Sequence, residues 1–335
     1  MQENKNNTVV SVVGSGSWAT AMVKLMQENK IKVKWWVKNK ERQVFIKKHG
    51  FNPNYLSGVQ INTRYVKPSI NLKKDLSVSS IVVLATPAAF IGDVLKGLPK
   101  NIFEGKIVVT AIKGMMPEEN LLVSDYLKKE FNVEDGQLTV VAGPCHAEEI
   151  AMSRQSYLTI GGSSHSNRES VALLYRGSYV RVAELDDLEG IEYAAVMKNI
   201  IALASGIAHG LNFGDNFQAV LVSNAMQEIR VFLDRFYPKE RDLFHSAYMG
   251  DVLVTAYSQF SRNRTFGSMI GRGYTVKSAL LESKMVSEGY YAVKCMFEKF
   301  DMNELDMPIC KAVYQILYEK MSPAMEVQIL KDNLN

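Results

Sequence analysis

Short β-branched and apolar runs alternate with helix-compatible stretches through the first half of the chain. Thr8–Val13 (TVVSVV) carries no charge and reads as a strand buried on both faces, while Ile31–Val37 (IKVKWWV) places apolar residues at alternate positions. Ile81–Ala85 (IVVLA), Ile107–Ala111 (IVVTA) and Leu138–Ala142 (LTVVA) continue the series, with Ala19–Glu28 and Asn120–Phe131 among the helical segments between them. Such alternation predicts βαβ units and a mostly parallel, doubly wound α/β sheet. Each strand ends in a small or turn-forming residue, the place where such sheets bind ligands.

After about residue 190 the apolar period becomes 3.6 residues, in Ile191–Gly210, Asn216–Phe236, Thr275–Ser283, Gly289–Phe300 and Pro308–Lys320. Turns at Asn212–Asn216 and Tyr248–Asp251 separate some of them. The chain of 335 residues therefore reads as two domains, an α/β nucleotide-binding domain over 1–190 and an all-α substrate and catalytic domain over 191–335.

Composition narrows the class. A content of 47% hydrophobic and 22% charged residues is that of a globular chain. The net charge of +4 is too small to argue for nucleic acid, although a local cluster could receive a small anion. Cys145, Cys295 and Cys310 lie far apart without ligand spacing, so no disulfide framework or metal site is expected, and a reducing, cytoplasmic setting fits. The polar start MQENKNN lacks the apolar core of a signal peptide. No membrane span is expected either, because the longest apolar candidate, Val196 to Leu211, is interrupted by Lys198, Asn199 and His209.

The strongest chemical motif follows the first strand. Gly14-Ser-Gly16-Ser-Trp-Ala19 is a GxGxxA that opens a helix. Gly14 permits the tight turn, Gly16 lets backbone approach a pyrophosphate, and Ala19 is small enough for helix and strand to pack. Exposed N–H groups at the helix start then bind the anion; the alternative is an ordinary Gly-rich turn. An NAD-type fold usually carries an acid near the end of the second strand, yet here Lys38, Lys40 and Arg42 follow it. Lys38 is the better placed to meet a 2′-phosphate, which favours NADP(H) over NAD(H); Lys40 and Arg42 read equally well as a solvated helix face. Thr86-Pro87 and Lys113-Gly114 end successive strands and would line the cofactor crevice, with a surface lysine as the alternative for Lys113.

In the helical half, Lys198 sits mid-helix with Ala194, Ala195, Ile201 and Ala202 on its face. Either the side chain snorkels to solvent, or it is buried, where desolvation lowers a lysine pKa towards that of a general base. Ser261-Arg262-Asn263-Arg264 offers guanidinium forks and neutral donors that suit a phosphate, and Gly250-Asp251 is a second polar cluster at a turn or helix start; an exposed, solvated cluster is the alternative for both. Glu288-Gly289 is uninformative alone, and His146 and His209 lack the company of metal ligands.

Taken together, GSGSWATA (14–21), Lys113-Gly114, AGPCHAEEIA (142–151), VMKNIIALASGIAHGLNFGDN (196–216), GDVLVTAYSQFSRNRTFGSMIGRG (250–273) and VSEGYYAVK (286–294) resemble the bacterial NAD(P)-dependent glycerol-3-phosphate dehydrogenases along nearly the whole chain. That resemblance implies a Rossmann-type N-terminal domain and an all-α C-terminal domain like that of 6-phosphogluconate dehydrogenase. It further implies a cytoplasmic homodimer that reduces dihydroxyacetone phosphate to sn-glycerol 3-phosphate, the backbone of glycerophospholipids, in a cleft between its domains. Lys198 matches the family's proton-accepting lysine, and Lys113 a lysine that contacts substrate and cofactor. Asp251, Ser261, Arg262 and Asn263 match its glycerol-phosphate contacts, and Gly143 and Cys145 further substrate contacts. Gly14, Gly16, Ser17, Trp18, Lys38, Ala147, Arg262, Val286 and Glu288 fall on cofactor positions. The chain departs from the family at Cys145 (usually Ser or Thr), His146 (Phe), Glu148 (Lys) and Ser223-Asn224 (Thr-Arg). These changes keep open a related dehydrogenase of another small hydroxy or keto acid. A non-catalytic NADP(H)-binding protein is the reading from a different class, against which stands the filling of each presumed catalytic position.

Overall fold

The computed structural model describes residues 8–283 and 287–335. In chain order its elements are β1 (Val9–Val13), α1 (Ser17–Glu28), β2 (Lys32–Trp36), α2 (Lys40–His49), β3 (Val66–Ser69), α3 (Leu72–Ser77), β4 (Ile81–Leu84), α4 (Ala88–Leu95), β5 (Ile107–Thr110), β6 (Met115–Met116) and β7 (Leu121–Leu122). Then come α5 (Val123–Phe131), β8 (Leu138–Ala142), α6 (Ala147–Ala151), β9 (Ser156–Gly161), α7 (His165–Tyr175), β10 (Val180–Leu185), α8 (Leu188–Gly210) and α9 (Asp215–Phe236). The chain finishes with α10 (Asp251–Tyr257), α11 (Arg262–Gly271), α12 (Val276–Glu282), α13 (Glu288–Lys299), α14 (Pro308–Leu317) and α15 (Pro323–Asn333). Two compact units result. The first holds the described residues up to Thr86 with Phe90–Ile112 and Val123–Leu188; the second holds Pro87–Ala89, Lys113–Leu122 and Glu189–Asn335.

The first unit is built on an eight-stranded sheet of order β10-β9-β8-β5-β4-β1-β2-β3. Its β3-β2-β1-β4-β5-β8 portion is the doubly wound Rossmann order, parallel throughout, with the reversal of winding between β1 and β4. Beyond it, β9 runs antiparallel to β8 and β10 runs parallel to β9. The alternation in the second strand is realised as Ile31, Val33, Trp35 and Val37 buried, with Lys32 exposed. Trp35 donates from Nε1 to the Gly14 carbonyl at 2.7 Å, which ties β2 to the turn after β1.

Three strands of the eight-stranded sheet escaped the sequence pattern. β3 contains Pro68 and, like β10, is an edge of the sheet, where apolar patterning is weak. β9 is apolar enough, but nothing local announces its antiparallel direction. The expected helix Asn120–Phe131 begins only at Val123, because Leu121–Leu122 pairs with Met115–Met116 in a small hairpin.

The second unit is helical and organised around α8. All but one residue of Ile191–Gly210 is buried, His209 being exposed, as a helix apolar on every side requires. By length and composition this 23-residue helix could cross a membrane, which corrects the expectation that its polar residues break the run, but its apolar window is wholly buried within the protein. Glycines set how closely α11 approaches it. A Cβ on Gly206 would lie 2.1 Å from the Arg264 carbonyl oxygen, and one on Gly267 2.2 Å from that of Leu203. Gly210 and Gly271 repeat the arrangement one turn on, 2.4 Å from Ser268 O and 2.2 Å from Ile207 O. The two backbones thus meet directly, and Cα–H groups face carbonyls across the crossing. Gly267→Ala is expected to destabilise the protein by about 1–3 kcal/mol through overpacking, read as a lowered unfolding midpoint in denaturant.

Candidate active site

In the first unit the Gly-rich turn lies at the reversal of winding. Gly14 adopts φ +130°, and a Cβ there would stand 2.5 Å from Ala85 O at the end of β4, so only glycine closes the turn. Gly16 precedes α1 as its N-cap, and a Cβ built on it meets nothing within 4 Å, which leaves open space above the helix start. Ser17 and Trp18 form the first turn of α1, half-buried, and that turn carries no acidic residue to repel an anion. The residues present therefore fit a dinucleotide pyrophosphate.

Beyond β2, Lys38 and Lys40 are exposed and, with Asn39, Glu41 and Arg42, line a surface concavity of about 500 Å³. Asn39 caps α2 by accepting from Arg42 N at 2.9 Å. Arg42 is not simply a solvated helix residue: its Nη1 donates to Ser15 Oγ at 2.6 Å, reaching back to the Gly-rich turn. Helix geometry alone could not reveal that long-range contact. On the loop after β8, Gly143 takes φ +105°, with a Cβ position 2.7 Å from Tyr157 O. Cys145 is 9% exposed and donates from Sγ to Gly143 O at 3.2 Å, and His146 precedes α6, whose first residue is the buried Ala147.

The second unit gathers Lys113, Lys198 and Asp251. Asp251 opens α10 directly after a π-helical turn, Ser246–Gly250, and is 2% exposed. Its Oδ1 lies 3.0 Å from Lys198 Nζ and its Oδ2 3.0 Å from Lys113 Nζ. Burial acts to raise the Asp251 pKa, but the Lys113 and Lys198 ammoniums and their hydrogen bonds outweigh it and hold the carboxyl below the usual carboxylate range. Lys198 does not snorkel: it is 6% exposed and also donates to Thr255 Oγ1 at 2.7 Å. One carboxylate against two ammoniums leaves a net positive charge, an environment that favours an anion or a developing alkoxide.

Several of these supports lay outside the sequence reading. Thr255 stands one helical turn from Asp251 and donates its hydroxyl hydrogen bond to Asp251 O at 2.6 Å, leaving its oxygen to accept from Lys198. Asn199 donates from Nδ2 to the Lys113 carbonyl at 2.6 Å and so fixes the backbone that carries that lysine. An i,i+4 search from Asp251 reaches Thr255; no local signal reaches the Asn199 contact.

The SRN cluster forms the start of α11. Ser261 is its N-cap, accepting from Arg264 N at 3.3 Å, and Arg262, the first residue, is exposed. Asn263 is 8% exposed, and its Oδ1 accepts from Ser287 Oγ at 2.7 Å and Gly289 N at 3.0 Å. Glu288, at the start of α13, accepts on Oε1 from Ala88 N at 3.0 Å. Burial pushes its carboxyl up to about 7, against the Ala88 hydrogen bond and the Arg262 charge. Its Oε2 is buried without a hydrogen-bond partner among the described residues, and a Cβ on Gly114 would lie 2.2 Å from it. That oxygen could accept a hydrogen bond from a bound cofactor. Val286 lies outside the described residues.

Comparison with known proteins covers both units. Residues 9–168 match the model described as NAD-dependent glycerol-3-phosphate dehydrogenase N-terminus, and residues 187–328 the one described as its C-terminus. The glycerol-3-phosphate dehydrogenase [NAD(P)+] of Staphylococcus epidermidis is 32% identical over 96% of this chain and 97% of its own length. That of Clostridium botulinum is 32% identical over 96% of both. A solved structure of glycerol-3-phosphate dehydrogenase from Coxiella burnetii superposes with a TM-score of 0.89 at 25% identity, over 97% of this chain and 98% of that one.

Proposed function

The chain belongs to the NAD-dependent glycerol-3-phosphate dehydrogenase family, and from that premise we propose that it catalyses the NAD(P)H-dependent, reversible reduction of dihydroxyacetone phosphate to sn-glycerol 3-phosphate. The observation that carries the reading is the buried lysine of α8, 3.0 Å from the Asp251 carboxylate that also binds Lys113. Gly14, Gly16, Ser17 and Trp18 would hold the pyrophosphate side of the dinucleotide, and Ala147 and Glu288 further parts of it. When bound, the dinucleotide supplies the hydride that reduces the carbonyl carbon.

The proton is the protein's part. Lys198 as ammonium, a form stabilised by Asp251, donates to the oxygen on which alkoxide charge develops; in the reverse direction the neutral amine takes the hydroxyl proton. A positioned acid or base of this kind is worth about 10²–10⁴-fold in rate. Lys113 orients the carbonyl and shares the compensation of Asp251, so the pair of lysines keeps the site positive towards an anionic substrate. Ser261, Arg262 and Asn263 would receive the phosphate, and Gly143 and Cys145 would contact the carbon skeleton. Cys145 is a weaker donor than the Ser or Thr it replaces, so the resemblance predicts looser substrate binding at that point.

Both nicotinamide cofactors are within the family's range. NADP(H) is the proposed preference, supported by the Lys38–Arg42 concavity beyond a strand that ends without an acid. A homodimer is proposed from the family resemblance alone; the cytoplasm is supported by three buried cysteines that form no disulfide among the described residues. Dihydroxyacetone phosphate should drive rapid oxidation of NADPH, and more slowly of NADH, followed by loss of nicotinamide absorbance. Arg262→Ala should raise the KM for dihydroxyacetone phosphate about 10–100-fold, as expected for removing a charge-assisted hydrogen bond. An unchanged KM would place the phosphate elsewhere, and absence of oxidation with either cofactor would overturn the proposal.

A further inference from the structure

We infer that Ser287 is a positioning residue that makes the site selective for a phosphorylated substrate by holding in place the Asn263 amide, whose direction the Gly289 N–H sets. This rests on the proposal that Asn263 meets the substrate phosphate. An asparagine carries an acceptor and a donor on one planar group, and only the donor attracts an anion. Asn263 is 8% exposed, and its carboxamide is gripped on one side by the Ser287 hydroxyl at 2.7 Å and the Gly289 amide at 3.0 Å. A backbone N–H can only donate, so the gripped atom has to be oxygen, and Nδ2 is committed to the opposite edge. The chemistry of the partners therefore sets the amide's polarity.

Ser287 does this instead of capping its own helix. It occupies the N-cap of α13, where a serine ordinarily accepts from the first turn, yet its side chain caps nothing. The hydroxyl, 4% exposed with its residue, instead crosses to α11, and Asn263 accepts the Gly289 N–H that the serine leaves. The same contacts are also consistent with a purely structural brace between two helices, so the test has to separate bracing from orientation.

Steady-state kinetics of the wild type, Ser287→Ala and Asn263→Asp with dihydroxyacetone phosphate and with unphosphorylated dihydroxyacetone make that separation. Losing one hydrogen bond from the grip is expected to raise the KM of Ser287→Ala for the phosphorylated substrate about fivefold, with kcat changed less. The ratio of kcat/KM for the phosphorylated over the unphosphorylated substrate should fall by a similar factor. Asn263→Asp keeps an oxygen for Ser287 and Gly289 but turns a second carboxylate oxygen towards the anion, and its KM should rise at least about tenfold. A brace predicts the reverse: Ser287→Ala would lower both substrates equally, and Asn263→Asp, still able to accept from both donors, would be harmless. Either result overturns the inference. Should Ser287→Ala fail to fold, Ser287→Cys, whose thiol is a much weaker donor to Asn263 Oδ1, takes its place in the same two-substrate comparison and is read by the same criteria. A wild type inert towards dihydroxyacetone phosphate would instead remove the parent reading, and this inference with it.

Discussion

Lys198→Met is expected to lower kcat for dihydroxyacetone phosphate reduction by about 10²–10⁴-fold without unfolding the protein. Methionine has a similar length and suits the alanine and isoleucine surroundings of α8, where Lys198 is 6% exposed. Asp251 is not left unpaired by the change, because Lys113 Nζ remains 3.0 Å from its Oδ2. A second substitution separates two roles that a lysine can play. Lys198→Arg restores a cation beside Asp251 but cannot give up its proton at any ordinary pH. If proton transfer is the contribution, arginine will be nearly as impaired as methionine, while dinucleotide binding, followed by fluorescence, persists in both. Recovery of most of the activity by arginine would reduce Lys198 to an electrostatic role, and near-normal turnover by methionine would remove it from the mechanism.

The parts of this site differ in how far they could be read from the chain. The turn at Gly14–Ala19 is legible because its chemistry is local: a strand, a glycine that must take positive φ, and a helix start follow one another within a few residues. Lys198 was half legible. Its apolar neighbours are periodic, but whether an ammonium among them reaches solvent depends on Asp251, which is 53 positions distant and arrives through a different helix. Arg42 to Ser15, Asn199 to Lys113 and Ser287 to Asn263 are likewise tertiary contacts between ordinary polar residues. The fold shows the same division. Central strands such as Ile81–Leu84 are apolar on both faces and declare themselves, whereas β3 and β10, at the sheet edges, do not. The family resemblance supplied roles for Lys113, Asp251 and Glu288 that periodicity and spacing could not.

Asp251→Asn is expected to cost about 3–5 kcal/mol of folding stability at neutral pH, and to impair catalysis beside it. The carboxylate is 2% exposed, and removing its charge leaves Lys198, itself 6% exposed, and Lys113 as ammoniums without their shared counter-ion. The pH dependence follows from the direction of its shift. Against the desolvation that raises it, the two lysines hold the native pKa below the ordinary 3.8, so the folded state binds the Asp251 proton less tightly than the unfolded state. Its contribution is therefore fully present above the ordinary value and disappears as the pH falls through the depressed native one. Denaturant unfolding should accordingly show a wild-type advantage over Asp251→Asn that is constant near neutrality and shrinks below about pH 4. The same pairing makes the substitutions non-additive: in a Lys198→Met background one ammonium is already gone, so Asp251→Asn should cost less than it does in the wild type. An equal cost in both backgrounds would mean that Lys198 and Asp251 do not share charge in solution, and the electrostatic support assigned to the proton donor would then have to come from Thr255 alone.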